Sequence, residues 1–181
     1  DRPYPHRAGA AAVFPRHLPR QVDALCACQA EDGMWHTILD DPASYKESSA
    51  TAAFAYGMLK GVRLGFLPAQ YEAPALRAVQ AVLARVDAAG IVGGVSYGTP
   101  VGNDAQFYKD IPVCPMTYGQ AMAILMLAEA LYHTGRTRDG NRRERPSVWA
   151  VFQKISGPFQ NRSAGAGAGR AVRSCRSPHL R

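Results

Sequence analysis

This sequence predicts an all-α fold built as an incomplete toroid of helical hairpins, and three observations lead there. Four segments carry apolar residues at the three-and-four spacing of amphipathic helices. Links rich in Gly, Pro or Asp separate them, and alternate links are longer and chemically richer. Such alternation suits a solenoid or toroid whose long loops gather at one end and build a site. Four helices cannot close that ring, because each hairpin needs a neighbour to bury its second face. Residues 20–135 therefore read as an arc of a larger domain with raw edges.

The first helix spans 20–30, with Val22, Leu25 and Cys26 on one face and Pro19 near its first turn. Gly33 breaks it, "MWHTIL" forms a short irregular link, and Asp41-Pro42 marks a turn. A second helix runs from about Glu47 to Gly65. Ser48 or Ser49 can cap it, and Phe54, Met58 and Val62 recur at i, i+4 and i+8. The third covers roughly 74–89, opened by Pro74 and stopped by Gly90, with Leu76, Val79, Leu83 and Val86 as its stripe. A β-branched piece, "IVGGVSYGTPVG", follows, and then a long loop over 102–117 carrying Gln106, Phe107 and Tyr108. The fourth helix, 118–135, shows a wide apolar face of Ala121, Ile124, Leu125, Ala128, Leu131 and Tyr132.

Residues 1–19 are a lead-in whose Ala-rich run is too weak for a secretory signal, and no stretch approaches the ~20 apolar residues that span a bilayer. A cytoplasmic protein without membrane contact is the expectation. The net charge of +7 would suggest nucleic acid if it covered a folded face. Instead residues 136–181 hold eleven Lys/Arg against two acids, while the remaining 135 residues balance to −2. That Arg-, Gly- and Ser-rich tail, with its "AGAGAG" repeat, is expected to be disordered. It supports one non-enzymatic alternative, a helical module binding an acidic polymer through its tail. No nucleic acid is expected at the domain itself.

Cys26 and Cys28 lie roughly 200° apart on a helix and cannot form one ligand pair; with Cys114 and Cys175 they read as free thiols rather than a metal or redox motif. Trp35 and His36 lie beside a glycine on a loop. The indole either stacks on a sugar or base or plugs a space between helices, with His36 then left on the surface. Asp40 and Asp41 are ordinary turn chemistry. Lys46, Glu47, Ser48, Ser49 and Thr51 crowd a helix start, where they either bind an anion or merely cap. "VSYGTPVG" lacks the spacing of a phosphate loop. Tyr118 opens the last helix at the same end and is a plausible site-lining residue.

The block "DGMWHTILDDPASYKESSATAAFAYGMLKGVRLGFL" resembles the C-terminal part of the unsaturated rhamnogalacturonyl hydrolases, glycoside hydrolase family 105, which are related to the unsaturated glucuronyl hydrolases of family 88. A helix ending in "AAG", then "GGVSYGTPVG", then "IPVCPMTYGQAMAILMLAEAL" agree in order, so the resemblance covers about residues 20–134. It implies a partial (α/α)₆ barrel. It further implies a reaction in which an aspartic acid protonates the C4=C5 bond of a terminal unsaturated uronic acid while water adds at C5. Its substrate is an oligosaccharide left by a polysaccharide lyase, and it needs no metal or organic cofactor. The family's catalytic aspartate lies in the N-terminal half of the barrel, so no acid of this chain takes that role and the chain alone is expected to be inactive. By the same resemblance Trp35, His36, Glu47, Ser48, Ser49 and Tyr118 face the sugar cleft. The uncovered edges of an open barrel imply self-association.

Overall fold

The computed structural model describes residues 7–134, and in it five α-helices follow one another: α1 (Arg7–Ala27), α2 (Ser48–Arg63), α3 (Glu72–Leu83), α4 (Ala105–Lys109) and α5 (Thr117–Thr134). A 3₁₀ turn at Ala69–Tyr71 leads into α3. Among the described residues β-structure is limited to isolated antiparallel bridges, which join His36 to Lys46, Val86 to Val92 and Ser96 to Val113. The basic tail and Cys175 lie outside the described residues. Cys26, Cys28 and Cys114 carry no disulfide.

Helix α2 is the centre of the arrangement, packed on both α5 and α3. Its small buried positions, Ala52, Ala55 and Gly61, let neighbours approach closely. A Cβ on Gly61 would come within 2.7 Å of Leu67 Cδ1. The helix ends where Gly65 adopts φ +75°, with Gly65 N–H donating to Val62 O at 3.0 Å and Phe66 N–H to Gly61 O at 2.8 Å. These paired bonds form a Schellman stop, which only a residue at ease with positive φ completes.

Three expectations about the helices change in the structure. Helix α1 begins at Arg7 rather than near residue 20 and runs through Pro19, because the Ala10–Ala12 run has the highest helix propensity. Helix α3 spans Glu72–Leu83 rather than 74–89. Beyond it Asp87 Oδ1 takes the N–H groups of Ala89 and Ile91, both at 2.9 Å, and turns the chain so that Val86 bridges Val92. The third change is at α5. Ala123, Met126, Glu129 and Ala130 are buried, while Ile124, Leu125 and Tyr132 are 58%, 42% and 56% exposed. Most of the face expected to be the core is thus the outer one. The helix is apolar almost all round, so periodicity offers no preferred side.

The inner face of α5 also carries a charge. Glu129, 5% exposed, accepts two hydrogen bonds from Arg63, one from Nε and one from Nη2 at 3.0 Å, which ties the end of α2 to α5. Chiefly through this bond, the Arg63 guanidinium is held more firmly protonated than usual. At the other end of the core Tyr71 donates to Asp23 at 2.6 Å, joining the 3₁₀ turn to α1.

Gly33 fixes how the irregular link leaves α1. Its φ is +87°, and a Cβ there would lie 2.7 Å from the Arg77 carbonyl oxygen on α3. Substitution cannot be absorbed by a side-chain shift, since the obstacle is backbone. Gly33→Ala is expected to cost about 2 kcal/mol or more of unfolding free energy, measured by urea denaturation. A Gly65→Ala control also has positive φ but meets open space, and should cost less.

Candidate functional site

The link between α1 and α2 is a packed structure rather than a floppy loop. Asp41 builds its turn, with Asp41 N–H donating to Ile38 O at 3.0 Å and its Oδ1 accepting from Ala43 N–H at 2.9 Å. Lys109 of α4 pairs with Asp41 at 2.5 Å, and that hydrogen bond foremost holds the Asp41 carboxyl below its ordinary range. Ser44 is buried in the same turn, and its hydroxyl donates to Asp41 O at 2.7 Å. Asp41 keeps the turn role expected of it.

Trp35 anchors this link. It is 0% exposed, its indole N–H donates to Leu25 O at 2.7 Å, and its backbone N–H donates to Thr51 Oγ1 at 3.1 Å. Phe54 meets its ring edge-on at 5.4 Å between centroids. The indole therefore plugs the space between α1 and α2 and presents no face to a sugar. His36 follows on the exposed side, with Nδ1 2.6 Å from Ser44 O. A carbonyl oxygen only accepts, so Nδ1 carries the proton and donates it to Ser44 O.

Glu47 is the organising residue. Its φ and ψ of −110° and 122° place it at the N-cap of α2, where its side chain, not that of Ser48 or Ser49, accepts from Ala50 N–H at 2.5 Å. Its other oxygen accepts the Ser96 N–H at 3.0 Å, and Ser49 Oγ donates to the same carboxylate at 2.8 Å. A glutamate reaches the orphan amides of a first turn from the cap position and has a second oxygen to spare, which a serine lacks.

The third segment is 92–97. Gly94, at φ +74°, accepts the Ser48 N–H at 2.8 Å, and its missing Cβ leaves room for Ser48 Oγ and Arg85. Cys114 N–H donates to Val95 O at 2.7 Å and Tyr97 N–H to Pro112 O at 2.8 Å, so the segment is held from both sides. Tyr118, from the start of α5, donates its hydroxyl to Ser96 O, while Ser96 Oγ and Tyr45 hydroxyl share a bond at 2.9 Å. Burial, and then the charge of Glu47, push the Tyr118 phenol up from its ordinary value.

Together these elements line an open groove whose polar edge is His36, Glu47, Ser49, Ser96, Thr99 and Tyr118, and whose apolar floor is Leu39, Ala50, Ala53, Phe54 and Met122. Of the six residues expected at the cleft, His36, Glu47, Ser49 and Tyr118 meet in this groove. Trp35 and Ser48 do not. Ser48 is 0% exposed, and its hydroxyl, pressed against Gly94, has no hydrogen-bond partner among the described residues. Ser96 and Thr99 were missed: "VSYGTPVG" reads as part of a β-branched, glycine-rich piece without the spacing of a phosphate loop, and nothing local signals that the Ser96 amide meets a carboxylate 49 positions away. Among the described residues no group of three or more His, Cys, Asp or Glu could hold a metal ion, and no helix is long and apolar enough to cross a membrane.

Residues 7–134 match the family model described as Glycosyl Hydrolase Family 88. An unsaturated rhamnogalacturonyl hydrolase of Bacillus subtilis strain 168, YesR, is 38% identical over 115 residues, which are 63% of this chain and 32% of that protein. Among solved structures, one described as a possible member of the GH105 family, from Salmonella enterica serovar Paratyphi A, superposes with TM-score 0.68 at 42% identity, covering 72% of this chain and 35% of its own. Its counterpart from Klebsiella pneumoniae gives the same TM-score and identity and is covered over 34% of its length. The chain spans about a third of the length of the curated relatives it matches. The fold is accordingly an incomplete helical barrel.

Trp35 and Tyr118 should separate by experiment. Trp35→Phe removes the indole donor from the Leu25 carbonyl, which keeps the Cys28 N–H at 3.0 Å, and shrinks a fully buried ring, and is expected to lower stability by about 1–3 kcal/mol. Tyr118→Phe, at a position 37% exposed, should cost about 1 kcal/mol or less. Denaturant titrations of the two variants beside the parent measure both.

Proposed function

The chain belongs to Glycosyl Hydrolase Family 88, and on that premise we propose that it supplies one wall of the substrate cleft of an unsaturated uronyl hydrolase. The whole enzyme removes a terminal unsaturated uronic acid from lyase-generated oligosaccharides by hydration of the C4=C5 bond. The reading is supported above all by Glu47. It is the carboxylate lining the groove among the described residues, and both its oxygens are taken by donors from Ala50, Ser49 and Ser96. An acid so occupied orients a wall; it does not deliver a proton to a double bond. The proton comes from an aspartic acid on another arc of the barrel, and the reaction proceeds without metal or organic cofactor. The groove's hydroxyls and its apolar floor of Phe54 and Met122 suit the polar edge and carbon face of a sugar ring.

Exchanging residues 20–134 for the corresponding third of the Bacillus relative tests this reading. The chimera should hydrolyse an unsaturated rhamnogalacturonyl disaccharide within about tenfold of the parent rate, followed by loss of the double-bond absorbance. The 181-residue chain alone should give no turnover. A soluble, folded chimera without activity, or robust turnover by the chain alone, would contradict it.

The outer face of α5, where Ile124 and Leu125 lie 58% and 42% exposed, supports self-association of the chain. Sedimentation velocity should show assembly that rises with concentration. Ile124→Lys, at a side chain making little core contact, should return the chain to monomer with its helix content unchanged.

A further inference from the structure

We propose that Glu47 sets a charge rule for this wall: it excludes the uronate carboxylate and leaves the groove to the hydroxyls of an uncharged sugar. The inference rests on the reading of the groove as a sugar site and deepens it.

Glu47 is 5% exposed yet borders the groove, and every partner of its carboxylate is neutral: the amides of Ala50 and Ser96 and the hydroxyl of Ser49. The first turn of α2 offsets part of the charge, roughly half a unit by its macrodipole, and leaves the rest. No lysine or arginine lines the groove among the described residues. Lysines of the flanking segments are engaged with other acids, Lys46 with Asp32 at 2.8 Å and Lys109 with Asp41 at 2.5 Å. A second carboxylate entering here would meet an uncompensated like charge in partly desolvated surroundings, where Coulomb repulsion is several times stronger than in bulk water.

Hydrogen-bonding polarity points the same way. The Tyr118 hydroxyl donates to Ser96 O, Ser49 donates to Glu47, and His36 Nδ1–H donates to Ser44 O. With their protons spent, the Tyr118 and Ser49 hydroxyls offer oxygen lone pairs as acceptors. Acceptors take sugar hydroxyls and reject a carboxylate, which is itself only an acceptor. In a substrate joining an unsaturated uronate to a neutral sugar, this wall therefore addresses the neutral residue.

The 181-residue chain, labelled with nitrogen-15, is titrated separately with L-rhamnose and D-galacturonate while the amides of Ser49, Ser96 and Thr99 are followed. Rhamnose should shift these amides with a Kd at least about tenfold lower than galacturonate, a difference of about 1.4 kcal/mol. Added salt should narrow the gap by screening, and Glu47→Gln should reduce it below about threefold. If galacturonate binds these amides as tightly as rhamnose in the parent chain, the charge rule falls while the sugar site stands. If neither sugar moves them, the sugar site falls and the rule with it. A folded Glu47→Gln chain that keeps the full discrimination overturns the assignment to Glu47. Should that variant not fold, the parent chain's two titrations decide alone.

Discussion

One buried carboxylate holds three stretches of chain in register. Glu47 closes the link from α1, caps α2 through the Ala50 amide, and draws in the 92–97 segment through the Ser96 amide. Each of those amides would otherwise sit at a helix start or in an irregular run with no regular partner, and a buried donor left unpaired costs about 1–3 kcal/mol. The groove inherits its shape from this junction. Ser96 is where it is because Glu47 and Tyr118 grip its amide and its carbonyl, and Ser48 is buried because its own amide is committed to Gly94.

Behind the junction stands Trp35. Its indole bond to Leu25 and the Thr51 bond to its backbone join α1, the link and α2 within one turn of the cap. Thr51 also donates to the Glu47 carbonyl at 2.7 Å, so anchor and cap share a residue. The polar rim therefore rests on a buried base already tied by hydrogen bonds within the chain. Pre-organisation of this kind lowers the ordering cost of binding.

Much of the helical frame is legible in the residues themselves. The extent of α2 and the Asp41-Pro42 turn follow from local spacing and turn chemistry: α2 spans Ser48–Arg63 against the expected Glu47 to Gly65, and Asp41 caps its turn, while of the expected stripe Met58 is buried and Phe54 and Val62 are half-buried. What local pattern cannot supply is contact between distant segments. Trp35 has the composition of a binding residue, and only the Leu25 and Thr51 contacts show it to be core. Ser48 and Ser49 are the favoured capping types, but a glutamate one position earlier outcompetes them because it also satisfies Ser96. The inner side of α5 was illegible for a different reason. A helix apolar on every side is ordinarily buried on every side, so Ile124 and Leu125 look like core although the structure leaves them exposed.

That outer side of α5 and the coverage of the relatives describe the same incompleteness from two directions. The wall itself is nonetheless self-supporting, since each bond that shapes it lies within residues 25–118. Amide hydrogen exchange on the chain tests this most directly. If the Glu47 junction organises the wall, the amides of Ala50 and Ser96 should be protected to within about tenfold of Leu59 in the middle of α2. Exchange of Ser96 at the rate of an exposed loop amide, with Leu59 still protected, would contradict it.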